Sequence, residues 1–179
     1  DVAVVLDLMI HDIALILTLV GEKADTVDAV GIPVLTPFVD IANARLTFAS
    51  GAVANITASR VSRERMRKFR IFQQSGYLSL DLATGDGEFY RLRSGLDLAA
   101  LARGPLAIEA FVERVPISAP EGEPLRLEFE SFIAAVQGRS AVTVSGRAGR
   151  DALEVALRIQ GAIERSLRAA GHAGGAPGA

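Results

Sequence analysis

Residues 2–20 form an almost unbroken apolar run, interrupted only by Asp7, His11, Asp12 and Thr18. Its length is about that of a bilayer span, roughly 20 residues. Three ionisable groups inside it argue against that use, because an ionisable side chain at the bilayer centre is costly. No basic segment precedes the run and no small-residue cleavage site follows it, so it does not read as a signal peptide either. The remaining solution is a helix buried in protein, predicted over residues 4–20, with Gly21 where helices commonly end.

On such a helix the polar residues are not scattered. Asp7, His11, Ala14 and Thr18 fall at i, i+4, i+7 and i+11 and share one face, while nearly every other position is Leu, Ile, Val or Met. The helix is therefore expected to be buried on most sides and to meet something polar along one line. Asp7 and His11 are one turn apart, so their side chains can meet. A carboxylate beside an imidazole favours the charged ring and can fix its tautomer and orientation. A histidine held in this way is suited to exchange a proton with an alcohol. Spacing alone leaves a second reading open, a satisfied hydrogen bond in the core. Asp12 lies about 100° round from His11, off the stripe, and its plain reading is a structural bond.

The middle of the chain reads as strands. Thr26 to Leu35 is apolar and β-branched, with Pro33 near its end. Ala42, Ala44, Leu46 and Phe48 alternate with Ile41, Asn43, Arg45 and Thr47, and Ala52, Ala54, Ile56 and Ala58 alternate with Val53, Asn55, Thr57 and Ser59. Two period-two runs around Ala49-Ser50-Gly51 predict a hairpin. Further strands are expected at Met66–Gln73, Tyr77–Leu82, Glu88–Leu92 and Ile108–Ile117, with turns at Gln74-Ser75-Gly76 and Asp86-Gly87. Residues 93–107 read as a loop with a helical turn.

Two amphipathic helices follow, one carrying Leu125, Phe129, Phe132, Ile133 and Val136 and ending near Gly138, the other carrying Ala152, Val155, Ala156, Ile159 and Ile163. The order helix, six or seven strands, two helices predicts an α+β fold: a mostly antiparallel open sheet with helices on one face. The other face carries Asn43, Arg45, Thr47, Asn55, Thr57 and Ser59, and is left to water or a second subunit. Residues 1–170 are expected to be one α+β domain, and the Gly/Ala/Pro-rich stretch 171–179, with His172, a flexible tail.

Composition narrows the chemistry. There is no cysteine, which excludes disulfides and thiolate metal sites, and two histidines make a His-based structural zinc site unattractive, so no metal is expected. A net charge of −2 gives no general reason to expect nucleic acid or an anionic membrane as partner. The chain opens without Met, as a part of a longer protein would.

The run Val4-Val5-Leu6-Asp7-Leu8-Met9-Ile10-His11-Asp12-Ile13 resembles the motif that opens the C-terminal domain of the glucose–fructose oxidoreductase/inositol dehydrogenase (Gfo/Idh/MocA) family. The resemblance continues through Asp40-Ile41-Ala42-Asn43-Ala44-Arg45, Asn55-Ile56-Thr57-Ala58-Ser59-Arg60 and the helix near Ser145-Gly146, and covers residues 1–168. It implies an N-terminal Rossmann domain that binds NAD or NADP, followed by an α+β substrate domain. It implies that His11 is the general acid/base on a substrate hydroxyl, that Asp7 supports it and contacts substrate, and that a lysine from a Glu-Lys-Pro motif in the Rossmann half completes the site. It also implies homo-oligomers through the open sheet face, and a cytoplasmic enzyme of sugars or nucleotide sugars.

Two departures stand out. The chain holds neither a Gly-x-Gly-x-x-Gly fingerprint nor Glu-Lys-Pro, so the chain alone is not expected to complete the reaction; and Ala14 stands where many relatives carry a second carboxylate. Within the family, Leu8-Met9-Ile10-His11-Asp12-Ile13 and Ala58-Ser59-Arg60-Val61-Ser62 are similar to members that oxidise the 3-hydroxyl of UDP-N-acetylglucosamine. The basic stretch Arg60, Arg63, Arg65, Arg67, Lys68 and Arg70 then offers contacts to a diphosphate, with Arg60 the one singled out, although a solvated basic turn and strand edge is the reading the residues favour. Asp7, Asp12 and Arg60 are the expected substrate contacts. The competing expectation is a non-catalytic binding or oligomerisation module on the same fold.

Overall fold

The computed structural model describes residues 2–63, 66–93, 111–120 and 122–173. The first helix begins with a π turn, Val5–Met9, and continues as α1, Ile10–Val20. Seven strands follow among the described residues: β1 Thr26–Ile32, β2 Ile41–Thr47, β3 Val53–Ser59, β4 Lys68–Gln73, β5 Gly76–Asp81, β6 Asp86–Leu92 and β7 Val112–Ser118. Two helices close the order, α2 Pro124–Val136 and α3 Gly146–Ala173. The expected helical turn in 93–107 and the start of the strand expected from Ile108 lie outside the described residues, as do 174–179 of the expected tail.

The architecture is α+β, and every strand pair is antiparallel. The strands are divided between two sheets, β1-β2-β3 and β4-β5-β6-β7. The chain forms two compact units, residues 1–63 with 131–179 and residues 64–130.

In the first unit, alternation along the strands decides the core. Ala42, Ala44 and Leu46 of β2 and Ile56 and Ala58 of β3 point inward and are buried. Their small side chains leave room for helices against the sheet. α3 packs on β1 and against α1, and the π turn packs on α3 and β3. Val4, Val5, Met9, Ile13 and Ile16 from the first helix meet Ala152, Val155, Ala156, Ile159 and Ile163 from α3, all buried, at the helical spacing expected. Arg158 locks this layer by donating to the carbonyls of Ala24 (2.6 Å) and Asp25 (2.8 Å), just before β1.

Gly21 ends α1 in a left-handed conformation, φ 73°, with its N–H on the Leu17 carbonyl. A Cβ there would meet nothing within 4 Å, so Gly21→Ala is charged only for the backbone. Urea unfolding is expected to show a loss of about 1–2 kcal/mol; no loss would mean that the cap relaxes freely.

The opposite face of this sheet is open. In register its rows are Thr26–Thr47–Val53, Asp28–Arg45–Asn55, Val30–Asn43–Thr57 and Ile32–Ile41–Ser59. Asn43 donates to Thr57 and Arg45 to Asn55 across the strands.

In the second unit the turn between β5 and β6 is displaced from the expected Asp86-Gly87. Asp86 already pairs with Asp81, and Gly85, φ 79°, takes the turn. Gly87 serves another need: a Cβ there would come within 2.4 Å of Leu80 Cδ2. The helix predicted around Phe129 and Phe132 forms as α2, of which residues 124–130 belong to the second unit and 131–136 to the first. Four residues of its expected apolar stripe, Leu125, Phe129, Phe132 and Val136, are each more than 60% exposed.

Candidate functional site

The polar stripe of the first helix starts on the π turn. Val4 and Val5 are both fully buried, and the Val4 N–H is held by the Val39 carbonyl. Val4, Val5 and Met9 all lie in the core, and the Ile10 N–H bonds back to the Val5 carbonyl. Such π turns inside helices recur at functional sites. This one carries Asp7 outward, half exposed at 54% of its side chain.

Asp7 is not bonded to His11. Its carboxylate accepts from the Arg60 guanidinium at 3.1 Å, and the same Arg60 nitrogen donates to the Val2 carbonyl. Two expected site residues, 53 positions apart in sequence, therefore meet. His11, one turn on, is exposed and makes no hydrogen bond to another described residue. Asp12 is half-buried and has an interaction of its own within the fold.

Further along the stripe, Thr18 donates its hydroxyl back to the Ala14 carbonyl at 2.8 Å. Ala14 and Thr18 then line a groove of about 440 Å³ between the end of α1 and α3, with Leu17, Lys23, Asp151 and Arg158. Asp151 is held below the usual carboxylate range by its hydrogen bond to Arg150, assisted by Arg150, Lys23 and Arg147 as nearby positive charges.

A residue that sequence reasoning missed fixes the place of Arg60. Asp40 is fully buried before β2, and its carboxylate accepts the N–H groups of Val34 (2.8 Å), Leu35 (2.8 Å) and Thr36 (2.9 Å) and the Thr36 hydroxyl (2.9 Å). The backbone bonds from Val34 and Thr36 are the main reason that its carboxyl is held far below the ordinary range. The Asp40 main chain joins the Ile32 carbonyl at 3.0 Å and accepts the Arg60 N–H at 3.1 Å. A braced loop thus sets the base of the arginine that engages Asp7. The signal available in sequence was the stretch from Val34 to Asp40, a side-chain acceptor four to six residues after its donors.

Of the remaining basic stretch, Arg63 and Arg67 are exposed, Lys68 and Arg70 lie on β4, and Arg65 lies outside the described residues. Among the described residues no three His, Cys, Asp or Glu side chains group as metal ligands would. Nor do they offer a dinucleotide crevice, which is built at the end of parallel strands in a βαβ unit; every strand here pairs antiparallel. No helix among them is long and apolar enough to cross a membrane.

Residues 2–79 match the family model described as the GFO/IDH/MocA C-terminal domain. The UDP-N-acetylglucosamine 3-dehydrogenase of Acidithiobacillus ferrooxidans is 35% identical over 168 residues, which cover 94% of this chain and 51% of that protein. A solved structure of that enzyme matches 92% of this chain and 50% of its own with a TM-score of 0.78. An NAD-binding protein from Listeria innocua, 18% identical, shares the fold with a TM-score of 0.67 over 92% of this chain and 46% of its own. The chain thus spans about half the length of the relatives it matches.

Proposed function

Because the chain belongs to the GFO/IDH/MocA family, through its C-terminal domain, we propose that it is the substrate-binding and catalytic half of an NAD(P)-dependent oxidoreductase. The substrate in this reading is a nucleotide sugar, and the group oxidised is the 3-hydroxyl of UDP-N-acetylglucosamine. The observation that carries the reading is His11, exposed and unbonded one turn beyond the Asp7–Arg60 pair, in a chain 35% identical to an enzyme of that substrate.

His11 takes the proton of the hydroxyl during oxidation and returns it in the reverse direction. Asp7 and Arg60 hold the sugar or its diphosphate at the edge of the stripe, with Asp12 behind them. Arginine suits this place because its planar fork matches carboxylate and phosphate oxygens. The nicotinamide cofactor, NAD or NADP, accepts the hydride and is held mainly by a nucleotide-binding half outside these residues. The 179 residues by themselves do not complete the reaction.

The open face of β1-β2-β3 fits homo-oligomer formation. It carries one Asp and one Arg, side by side in one row, among Asn, Thr and Val, so two copies can stack without burying like charges. The compartment that goes with the reading is the cytoplasm.

Arg60→Ala tests the substrate side. In the protein completed with its nucleotide-binding half, KM for UDP-N-acetylglucosamine is expected to rise about tenfold, the scale of one lost charge-assisted hydrogen bond, with a smaller change in kcat. An unchanged KM removes Arg60 from the site.

A further inference from the structure

The polar stripe on α1 does not end at His11. Ala14 and Thr18 follow it at i+3 and i+7 within the regular part of the helix, and both line the groove of about 440 Å³ between α1 and α3. The groove therefore begins about one helical turn past the group assigned to the substrate hydroxyl. Its volume falls in the range of sites that hold whole small ligands, about 300–1,000 Å³. The roles given to Asp7, His11 and Arg60 make no use of it.

Much of the lining is small and apolar. Ala14 and Leu17 come from α1, Ala24 from the segment before β1, and Ala148 and Val155 from α3. Charged side chains line the groove too, and their signs balance. Asp151 is paired with Arg150 at 2.8 Å, and Glu22 accepts the Ser50 N–H at 3.1 Å. Arg158 spends its guanidinium on the Ala24 and Asp25 carbonyls. Lys23 and Glu154, of opposite sign, have no ion pair among the described residues. With Arg150 the set holds three positive and three negative charges. Such a lining favours neither an anion nor a cation, and an uncharged apolar group gains most by leaving water there.

Cβ atoms three residues apart on a helix lie about 5–6 Å from each other. A short substituent on the carbon next to the one bearing the reacting hydroxyl has about that reach. With the hydroxyl on His11, such a substituent passes Ala14 to enter the groove. A side chain longer than alanine at position 14 stands in its way.

We propose that the groove takes the acyl chain of an acylamino group next to the oxidised hydroxyl, and that Ala14 sets which substituent is accepted. The inference rests on the dehydrogenase reading of His11 and goes beyond it. The groove is larger than a two-carbon acyl group needs, so longer acyl chains enter as well. Each methylene that leaves water there raises kcat/KM by up to about fourfold.

UDP-glucose, UDP-N-acetylglucosamine and UDP-N-butanoylglucosamine are the probes, used on the protein completed with its nucleotide-binding half. In the parent protein kcat/KM is expected to rise in that order. Ala14→Leu is expected to lower the butanoyl-to-glucose ratio of kcat/KM at least tenfold. Ala148→Leu, on the opposite wall, is expected to lower the butanoyl-to-acetyl ratio. Ala14 is half-buried and Ala148 exposed, so neither change overfills the core. A merely structural effect lowers all three substrates together and leaves the ratios as they were. A fall in kcat/KM from acetyl to butanoyl in the parent overturns the proposal, as do ratios that Ala14→Leu leaves unchanged. The Ala14 methyl resonance in alanine-methyl-labelled protein needs no turnover, and so separates the groove from the dehydrogenase reading. UDP-N-butanoylglucosamine is expected to shift it more than UDP-glucose does. Equal shifts, or none, overturn the role of the groove; a selective shift without turnover keeps the groove and removes the acid/base role of His11.

Discussion

Replacing His11 by alanine is expected to lower kcat for UDP-N-acetylglucosamine about 10²-fold or more, in the protein completed with its nucleotide-binding half. That is the usual scale of general acid–base catalysis by a positioned side chain. The effect belongs on kcat because His11 has no bond within the fold to lose: it is exposed and makes no hydrogen bond to another described residue. Its removal therefore leaves the core of α1, built on Met9, Ile13 and Ile16, as it was. A merely structural histidine gives the opposite signature, a lower melting temperature with turnover preserved. The pH–rate profile separates the cases further, since the limb due to the acid/base group should vanish in the variant. Turnover within about threefold of the parent protein would sink the role assigned to His11.

The second large effect is on stability. Asp40→Ala is expected to lower the melting temperature at pH 7 by roughly 5–10 °C. The carboxylate accepts three backbone N–H groups and one hydroxyl in a buried loop, and alanine leaves those donors without an acceptor. The pH dependence has a definite sign. The folded carboxyl is held far below its ordinary value, chiefly by the bonds from Val34 and Thr36. Its contribution is therefore fully present above the unfolded value of about 3.9 and is lost as pH falls below it, toward the folded value. Between pH 7 and about pH 5 Asp40 should contribute no slope. Below about pH 4 the parent chain should lose stability faster than Asp40→Ala, so that their melting temperatures converge. Parallel curves down to low pH would contradict the role given to the carboxylate. Because the Asp40 carbonyl also receives the Arg60 N–H, the same variant should loosen Arg60 on Asp7.

Much of this arrangement was legible in the sequence because side-chain period is a direct consequence of backbone geometry. The alternation of Ala42, Ala44 and Leu46 with Asn43 and Arg45 placed the buried and open faces of β2 correctly, and Ile56 and Ala58 did so for β3. Gly21 marked the end of α1 for the same kind of local reason. The i, i+4 spacing of Asp7 and His11 set them one turn apart but did not give their partners. Spacing cannot show that an arginine 53 residues away competes for the carboxylate. The π turn left no mark in the pattern either.

Asp40 was invisible for a related reason. An aspartate before a strand reads as an ordinary turn residue until the loop from Pro33 folds back onto it. The apolar stripe of α2 was recognised as amphipathic, yet period does not say what an apolar face meets, and Phe129 and Phe132 remain exposed. Nor does it say how the seven strands among the described residues divide between two sheets. Local geometry was read well; long-range choice of partner was not.

The central claim is that these residues serve the oxidation of a nucleotide-sugar hydroxyl. It is tested most directly by joining the chain to its nucleotide-binding half and following reduction of NAD or NADP on addition of UDP-N-acetylglucosamine, with the product analysed for the position of the new carbonyl. Substrate-dependent reduction with a 3-oxo product is the predicted result. A folded protein that binds the dinucleotide yet reduces neither cofactor, or that places the carbonyl elsewhere, would contradict the account.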